Sequence, residues 1–242
     1  MGEKRKSQFN TFIGIGLLAL LIIQFLVLVY FNLRLNARHM DFDSSWVYLK
    51  TALVWKEKSF ISPNWSETTN PFFDLSLPLA SLLYGITGRL FFSYGVSYLI
   101  VLLGILVSVF YILKKFNVKK TGILVTLNLI ICPFLIDEFN PAIELGYCNC
   151  ILTGPAHYNF RVLIFLLIII EYLNIQQKKK IDIIAFLSIA LCFVSGMSSG
   201  VYLIAMIIFP IIVYLLESVF IEKKLKVLLK KEAIYTYTCL LF

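Results

Sequence analysis

The sequence predicts an all-α fold, a polytopic bundle of about six to seven transmembrane helices with an external juxtamembrane helix after the first span. Hydrophobic residues make up 60% of the 242 residues, charged residues make up 15%, and the mean hydropathy is +0.86. This composition lies well outside that of soluble domains. Several apolar runs approach the length of about 20 residues that crosses a bilayer. The net charge of +8 lies in short basic runs between apolar stretches, as in cytoplasmic loops, and does not indicate nucleic-acid binding.

Six apolar runs are predicted to cross the membrane. They are residues 12–33, 94–113, 122–136, 161–175, 181–194 and 201–216. The first run is too long for a signal peptide and is interpreted as a retained anchor. Residues 195–200 contain two glycines and are predicted to form a tight turn between the last two spans. A seventh span begins near Ala233, so we expect the chain to be the amino-terminal part of a longer protein.

Basic runs predict the topology. They lie at residues 4–6, 114–120, 178–180 and 223–231, and the positive-inside rule places all four in the cytoplasm. A full crossing by the apolar run at residues 75–90 would put the run at 114–120 outside, so we expect residues 75–90 to lie on or dip into the outer leaflet. The chain is then one multi-pass domain of the cell membrane with a cytoplasmic N-terminus. Residues 34–93 and 137–160 form its two large external loops.

The first external loop opens with a predicted amphipathic helix that runs to about Lys58 and is capped by Asp43 or Ser44. Two apolar clusters lie side by side on its helical projection, and a polar side lies opposite. The clusters are Trp46, Leu49 and Leu53, and Tyr48, Ala52 and Trp55; the polar side holds Asp43, Lys50 and Glu57, interrupted by Val47 and Val54. The two tryptophans are typical of a helix at the headgroup boundary.

The five cysteines predict no disulfide framework. Cys132, Cys192 and Cys239 lie in apolar runs, where a thiol behaves as a small hydrophobic group. Cys148 and Cys150 are separated by one residue, and a bridge across that spacing is strained.

Asp41 and Asp43 are the strongest candidates for chemistry. On an extended segment, residues i and i+2 point the same way, so both carboxylates could bind one Mg²⁺ or Mn²⁺ ion, since such hard cations prefer oxygen ligands. Alternatively, one of them is the general base for an acceptor hydroxyl. The competing interpretation is that Asp43 caps the helix while Asp41 balances Arg38, a residue that we also assign to substrate binding.

The second external loop supplies further candidates for substrate binding. They are Asp137, Glu138 and His157, followed by Arg161 at the start of the next span. An arginine there could bind a phosphate through two parallel hydrogen bonds. The competing interpretation is that the acids are solvated loop charges and that Arg161 reaches to the membrane interface.

The order of these parts resembles the GT-C superfamily of integral-membrane glycosyltransferases. The matching pieces are Asp41-Phe42-Asp43, the helix at 46–58, Asn70-Pro71-Phe72-Phe73 with residues 77–88, and the span at 94–115. The stretches 64–69 and 198–202 also resemble multi-span proteins of Gram-positive bacteria. The resemblance implies an enzyme of the cell envelope that transfers a sugar from a polyprenyl-phosphate carrier to an acceptor at the external face.

A non-enzymatic membrane protein, either a transporter or an assembly or scaffold subunit, is the alternative. Transporters place ionisable residues inside their spans. Within the predicted spans only Arg161, Glu171 and Asp182 are charged, each at or near an end, which favours the transferase. Neither the sugar and its acceptor nor the oligomeric state follows from the sequence.

Overall fold

A computed structural model describes most of the chain. The described residues are 2–39, 42–59, 64–65, 76–132, 152, 158–178, 181, 183–203, 212, 216–217, 219–221 and 230–241. Every regular element among them is a helix, which confirms the predicted all-α class.

The chain divides into two compact units. Unit 1 consists of Met1–Ser62 with Ser76–Asn159, and unit 2 of Pro63–Leu75 with Phe160–Phe242. The main helices of unit 1 are α1 (Gly2–Tyr30), α2 (Phe42–Glu57), α3 (Ser76–Thr87), α4 (Leu90–Lys115) and α5 (Lys120–Ile130). The remaining long helices are α6 (Tyr158–Lys178), α7 (Ile183–Leu203) and α8 (Lys231–Leu241).

Among the described residues, three helices are long and apolar enough to cross a membrane, and they match three of the predicted spans. They cover Thr11–Leu35, Leu90–Lys115 and Asn159–Lys178. The first continues from α1 through one π-helical turn, Phe31–Leu35. About half of its residues are exposed, and large apolar side chains such as Phe12, Ile23 and Leu26 are among them. A face of this kind is compatible with contact to lipid, and these three helices support a membrane location.

The predicted turn at residues 195–200 is wrong. One continuous helix, α7, runs from Ile183 to Leu203 through Gly196 and Gly200. Glycine costs only about 1 kcal/mol in a helix interior, and membrane helices contain it more often than soluble ones do. Gly and Ser therefore mark a turn much less reliably in an apolar helix than in a soluble loop. The predicted spans at 181–194 and 201–216 are accordingly not separated at that point.

The α3–α4 connection is a two-residue joint that turns the chain sharply. Gly88 has φ +64°, a left-handed conformation that glycine adopts at little cost and that commonly ends helices. Its N–H donates to the carbonyl oxygen of Tyr84 at 2.8 Å, and the hydroxyl oxygens of Thr87 and Ser93 lie 2.8 Å apart across the joint. The helices pack against each other within unit 1, so α3 and α4 form a helical hairpin.

The length of α3 bears on the predicted topology. Its 12 residues extend about 18 Å at 1.5 Å per residue, less than the hydrocarbon thickness of about 30 Å. A helix of this length favours an interfacial or re-entrant position over a full crossing, because a crossing would leave part of the bilayer unspanned.

We therefore expect the loop between α4 and α5 to lie in the cytoplasm and Asn70 to lie outside. In a cysteine-free background, Asn70→Cys should react with a membrane-impermeant maleimide on intact cells, whereas Phe116→Cys should react only after permeabilisation. Phe116 is preferred to Asn117 because it is 64% exposed, whereas Asn117 has a strained φ of +56°. Labelling of Phe116→Cys on intact cells would show that residues 75–90 cross fully.

Candidate active site at the start of α2

The first membrane helix leads almost directly into α2. After the π-helical turn, a short 3₁₀ helix covers Asn36–His39, and α2 begins at Phe42. The predicted capping role of Asp43 or Ser44 is therefore wrong, because both residues lie inside the first turn of the helix. The prediction that both carboxylates point the same way assumed an extended segment, but Phe42 and Asp43 are helical.

Asp41 and the side chains of Arg38 and Asp43 lie outside the described part of the chain, as do Asp137, Glu138 and His157. Whether these groups converge therefore remains a prediction. Among the described residues no cluster of three or more His, Cys, Asp or Glu side chains could hold a metal ion. The proposed Mg²⁺ or Mn²⁺ site depends on the two aspartates alone, whose oxygens suit such hard cations.

The face of α2 that packs inward differs from the predicted one. Val47, Thr51 and Val54 are buried, Leu49 is 60% exposed, and Lys50 is only 3% exposed. The buried face therefore combines Lys50 and the two valines of the predicted polar side with Tyr48 of the second apolar cluster. Lysine is almost never fully buried unless it is paired, so the position of Lys50 indicates a polar environment within unit 1.

An aromatic cluster fixes α2 against the α3–α4 hairpin. The ring of Tyr48 lies edge-on to those of Phe91 and Tyr94, with centroids 4.6 Å and 5.2 Å apart. Tyr98 and Ala80 complete the buried cluster. Aromatic pairs in this geometry contribute roughly 0.5–1.5 kcal/mol beyond their buried area. Contacts with α4 therefore fix the first turns of α2, which include the backbone of Asp43.

Two asparagines fix the end of the first membrane helix. Asn32 donates through Nδ2 to the carbonyl oxygens of Leu28 and Leu152, each at 2.9 Å, and Asn36 donates through Nδ2 to the carbonyl oxygen of Phe91 at 2.8 Å. Both side chains are buried. A π-helical turn displaces the regular hydrogen-bond ladder, and Asn32 supplies a donor there. This polar joint determines how the chain approaches α2.

Arg161 is placed at the start of α6 in unit 2 and is 8% exposed. It takes part in at least one interaction within the protein. A buried guanidinium of this kind is suited to holding an anion or a carboxylate.

Glu171 lies inside the same apolar helix and is 1% exposed. Asn174 donates through Nδ2 to its Oε2 at 3.3 Å. Acids buried within membrane helices are costly and commonly mark a functional pathway. The sequence placed this residue near the end of a span, and its burial was not predicted.

The residues missed by sequence reasoning owe their roles to tertiary contacts, either close packing or hydrogen bonds between helices. Lys50, Tyr48 and Asn36 belong to this set, together with Gly85 and Gly95, which face a tryptophan ring and a backbone carbonyl. The signal available in the sequence was Asn32 and Asn36, two amides at the end of an apolar run. Polar residues at such positions often bind a neighbouring helix.

Comparison of the chain with protein-family models, with curated proteins and with solved structures gives no significant match.

Proposed function

We propose that this protein is a GT-C-like membrane glycosyltransferase that moves a sugar from a polyprenyl-phosphate carrier to an acceptor at the external face of the cell membrane. Asp41 is the general base or a metal ligand, and Asp43 binds the same cation or orients the acceptor. A bound Mg²⁺ or Mn²⁺ ion would neutralise phosphate charge. The residues of this chain position the donor and remove a proton from the acceptor hydroxyl.

The observation that carries the proposal is the position of the Asp-x-Asp motif. The apolar span Thr11–Leu35 is followed by only a short 3₁₀ helix before α2 begins at Phe42. The acidic motif thus lies within a few residues of a membrane helix, where a lipid-borne phosphate can be reached. The packing of α2 on α3 and α4 supports the proposal, because catalytic groups need a rigid support.

An open apolar face on the same half of α1 also supports it. The face consists of Ile23, Leu26, Val27, Tyr30 and Phe31, of which Ile23, Leu26 and Tyr30 are more than half exposed. A polyprenyl chain could lie along this surface while its phosphate reaches the acidic motif. Arg38 and Arg161 are proposed phosphate contacts, and Asp137, Glu138 and His157 are proposed to line the site from the second external loop.

The test is the substitution Asp41→Asn. Membranes that contain the protein are supplied with a panel of polyprenyl-phosphate-linked hexoses and pentoses, and release of free polyprenyl phosphate is measured. The variant keeps the size and hydrogen-bonding capacity of the side chain but loses its charge. We expect the rate of release to fall by about 100-fold or more, as for loss of a general base, with unchanged insertion and thermal stability. Asp43→Asn should also lower the rate, at a helix-dipole cost of about 0.3–1 kcal/mol.

Glu67→Gln is the matched control, since it removes one negative charge from the same predicted loop outside the motif. Its rate should equal that of the unmodified protein. Full activity in Asp41→Asn would remove the catalytic assignment. No release from any donor by the unmodified protein would contradict the transferase proposal as a whole.

The burial of Glu171 favours the alternative, a transporter or an assembly subunit. A carboxylate with 1% exposure inside a membrane helix is the type of group that transporters use for coupling ions. The two proposals differ in what they require of this residue. A transferase that works at the external face should keep its rate of sugar transfer in Glu171→Gln, whereas an ion-coupled transporter should lose coupling.

A further inference from the structure

Helices α7 and α8 of unit 2 are joined by two polar contacts one helical turn apart. The hydroxyl oxygens of Ser188 and Tyr235 are hydrogen-bonded, and four residues further along each helix the thiols of Cys192 and Cys239 form a hydrogen-bonded pair. Because residue number increases in the same sense on both helices, α7 and α8 run parallel where they touch. The Ser188–Tyr235 bond sets the register that brings the two thiols together.

The thiol pair is enclosed. Cys192 is 0% exposed and Cys239 is 2% exposed, whereas Cys132 is partly exposed and belongs to unit 1. The neighbouring Phe193 on α7 is 46% exposed and so points away from the contact. Two thiols held side by side in an apolar helix contact are screened from water-soluble reagents. The same burial keeps an apolar oxidant in the bilayer away from the thiols until the α7–α8 contact opens locally.

We propose that Cys192 and Cys239 are a redox-active dithiol that forms an intramolecular disulfide with a lipid-soluble quinone as the oxidant. One S–S bond forms and two S–H bonds break. The two protons and two electrons pass to the quinone, which becomes the hydroquinone. The product links α7 covalently to α8 and closes the intervening chain into a loop. Closing a loop restricts the unfolded chain and stabilises the folded one, so oxidation fixes α8 on α7. The proposal does not depend on the transferase assignment.

Tryptic peptides separate the cysteines cleanly. Cleavage after lysine and arginine places Cys192 in peptide 181–223 and Cys239 in the peptide that begins at Glu232, while the other three cysteines share peptide 121–161. The purified protein in lipid nanodiscs is treated with a short-chain ubiquinone analogue, the free thiols are alkylated with N-ethylmaleimide, and the digest is analysed by mass spectrometry. We expect peptide 181–223 and the peptide that begins at Glu232 to be recovered linked, with the mass of their sum less two hydrogen atoms, and peptide 121–161 to be recovered alkylated.

Moving one thiol around the helix provides the matched control. The double variant Cys192→Ser with Phe193→Cys keeps the number of thiols and displaces one of them by about 100° on α7, so the linked peptide should be lost. Oxidation should raise the unfolding temperature of the unmodified protein by about 5 °C, reversibly with dithiothreitol, and should not change that of Cys239→Ser. The proposal is overturned by recovery of Cys192 and Cys239 alkylated after quinone treatment, or by equal linkage in the displaced-thiol variant.

Discussion

Gly95→Ala should cause one of the largest losses of stability available from a single added methyl group. A Cβ at this position of α4 would overlap the carbonyl oxygen of Asn32, lie 2.9 Å from its carbonyl carbon, and lie 3.3 Å from Nδ2 of Asn36. The first two atoms are backbone and cannot rotate away, so α4 must move from the π-helical turn. Overpacking of this kind costs roughly 1–3 kcal/mol. We expect the unfolding temperature in detergent, followed by fluorescence-detected size exclusion, to fall by about 5 °C.

Gly14→Ala is the control for this experiment. It makes the same chemical change in a membrane helix, yet a Cβ there meets no atom within 4 Å. Alanine has the higher helix propensity, so the control should be neutral or slightly stabilised. If Gly95→Ala were as stable as Gly14→Ala, the close approach of α4 to Asn32 would not exist in the folded protein.

Composition and apolar run length predicted the helical class and three membrane spans because transfer of a long apolar helix into lipid depends on the sum of its residues. That sum can be calculated from the sequence without knowing any tertiary contact. The predicted turn at residues 195–200 was wrong because it treated Gly196 and Gly200 as residues that end a helix whatever surrounds them. A helix surrounded by apolar groups forms its backbone hydrogen bonds through such positions, because any unpaired group there costs several kcal/mol.

The orientation of α2 shows the limit of periodicity. The projection grouped Leu49 with Trp46 and Leu53 and placed Lys50 on a polar side, whereas the structure exposes Leu49 and buries Lys50. In a membrane protein an apolar residue can face lipid and a polar one can face the protein. The hydrophobicity of a residue therefore does not show whether its side chain faces the protein interior or the lipid. The acidic motif could be placed beside a membrane helix from the sequence, but its distance to the second external loop depends on tertiary contacts that no pattern encodes.

The contact between Trp55 and Gly85 leads to the second large effect. A Cβ at Gly85 of α3 would overlap three atoms of the Trp55 indole ring on α2. The Nζ of Lys58 lies 2.8 Å from the centroid of that ring, so the ring contacts both a cation and α3. Gly85→Ala must displace the indole, which separates α2 from α3 and weakens the cation–π interaction. We expect a loss of roughly 1–3 kcal/mol, measured as a lower unfolding temperature.

A double-mutant cycle distinguishes this contact from a general intolerance of alanine in α3. Trp55→Leu removes the ring and leaves space above Gly85, so Gly85→Ala should cost less than about 0.5 kcal/mol in that background. Gly16→Ala, where a Cβ meets no atom within 4 Å, should cost the same with and without Trp55. Equal costs of Gly85→Ala in both backgrounds would show that α2 does not rest on α3 through this ring.

Because α2 carries Asp43, a transferase should lose sugar transfer in Gly85→Ala and recover part of it when Trp55→Leu relieves the overlap.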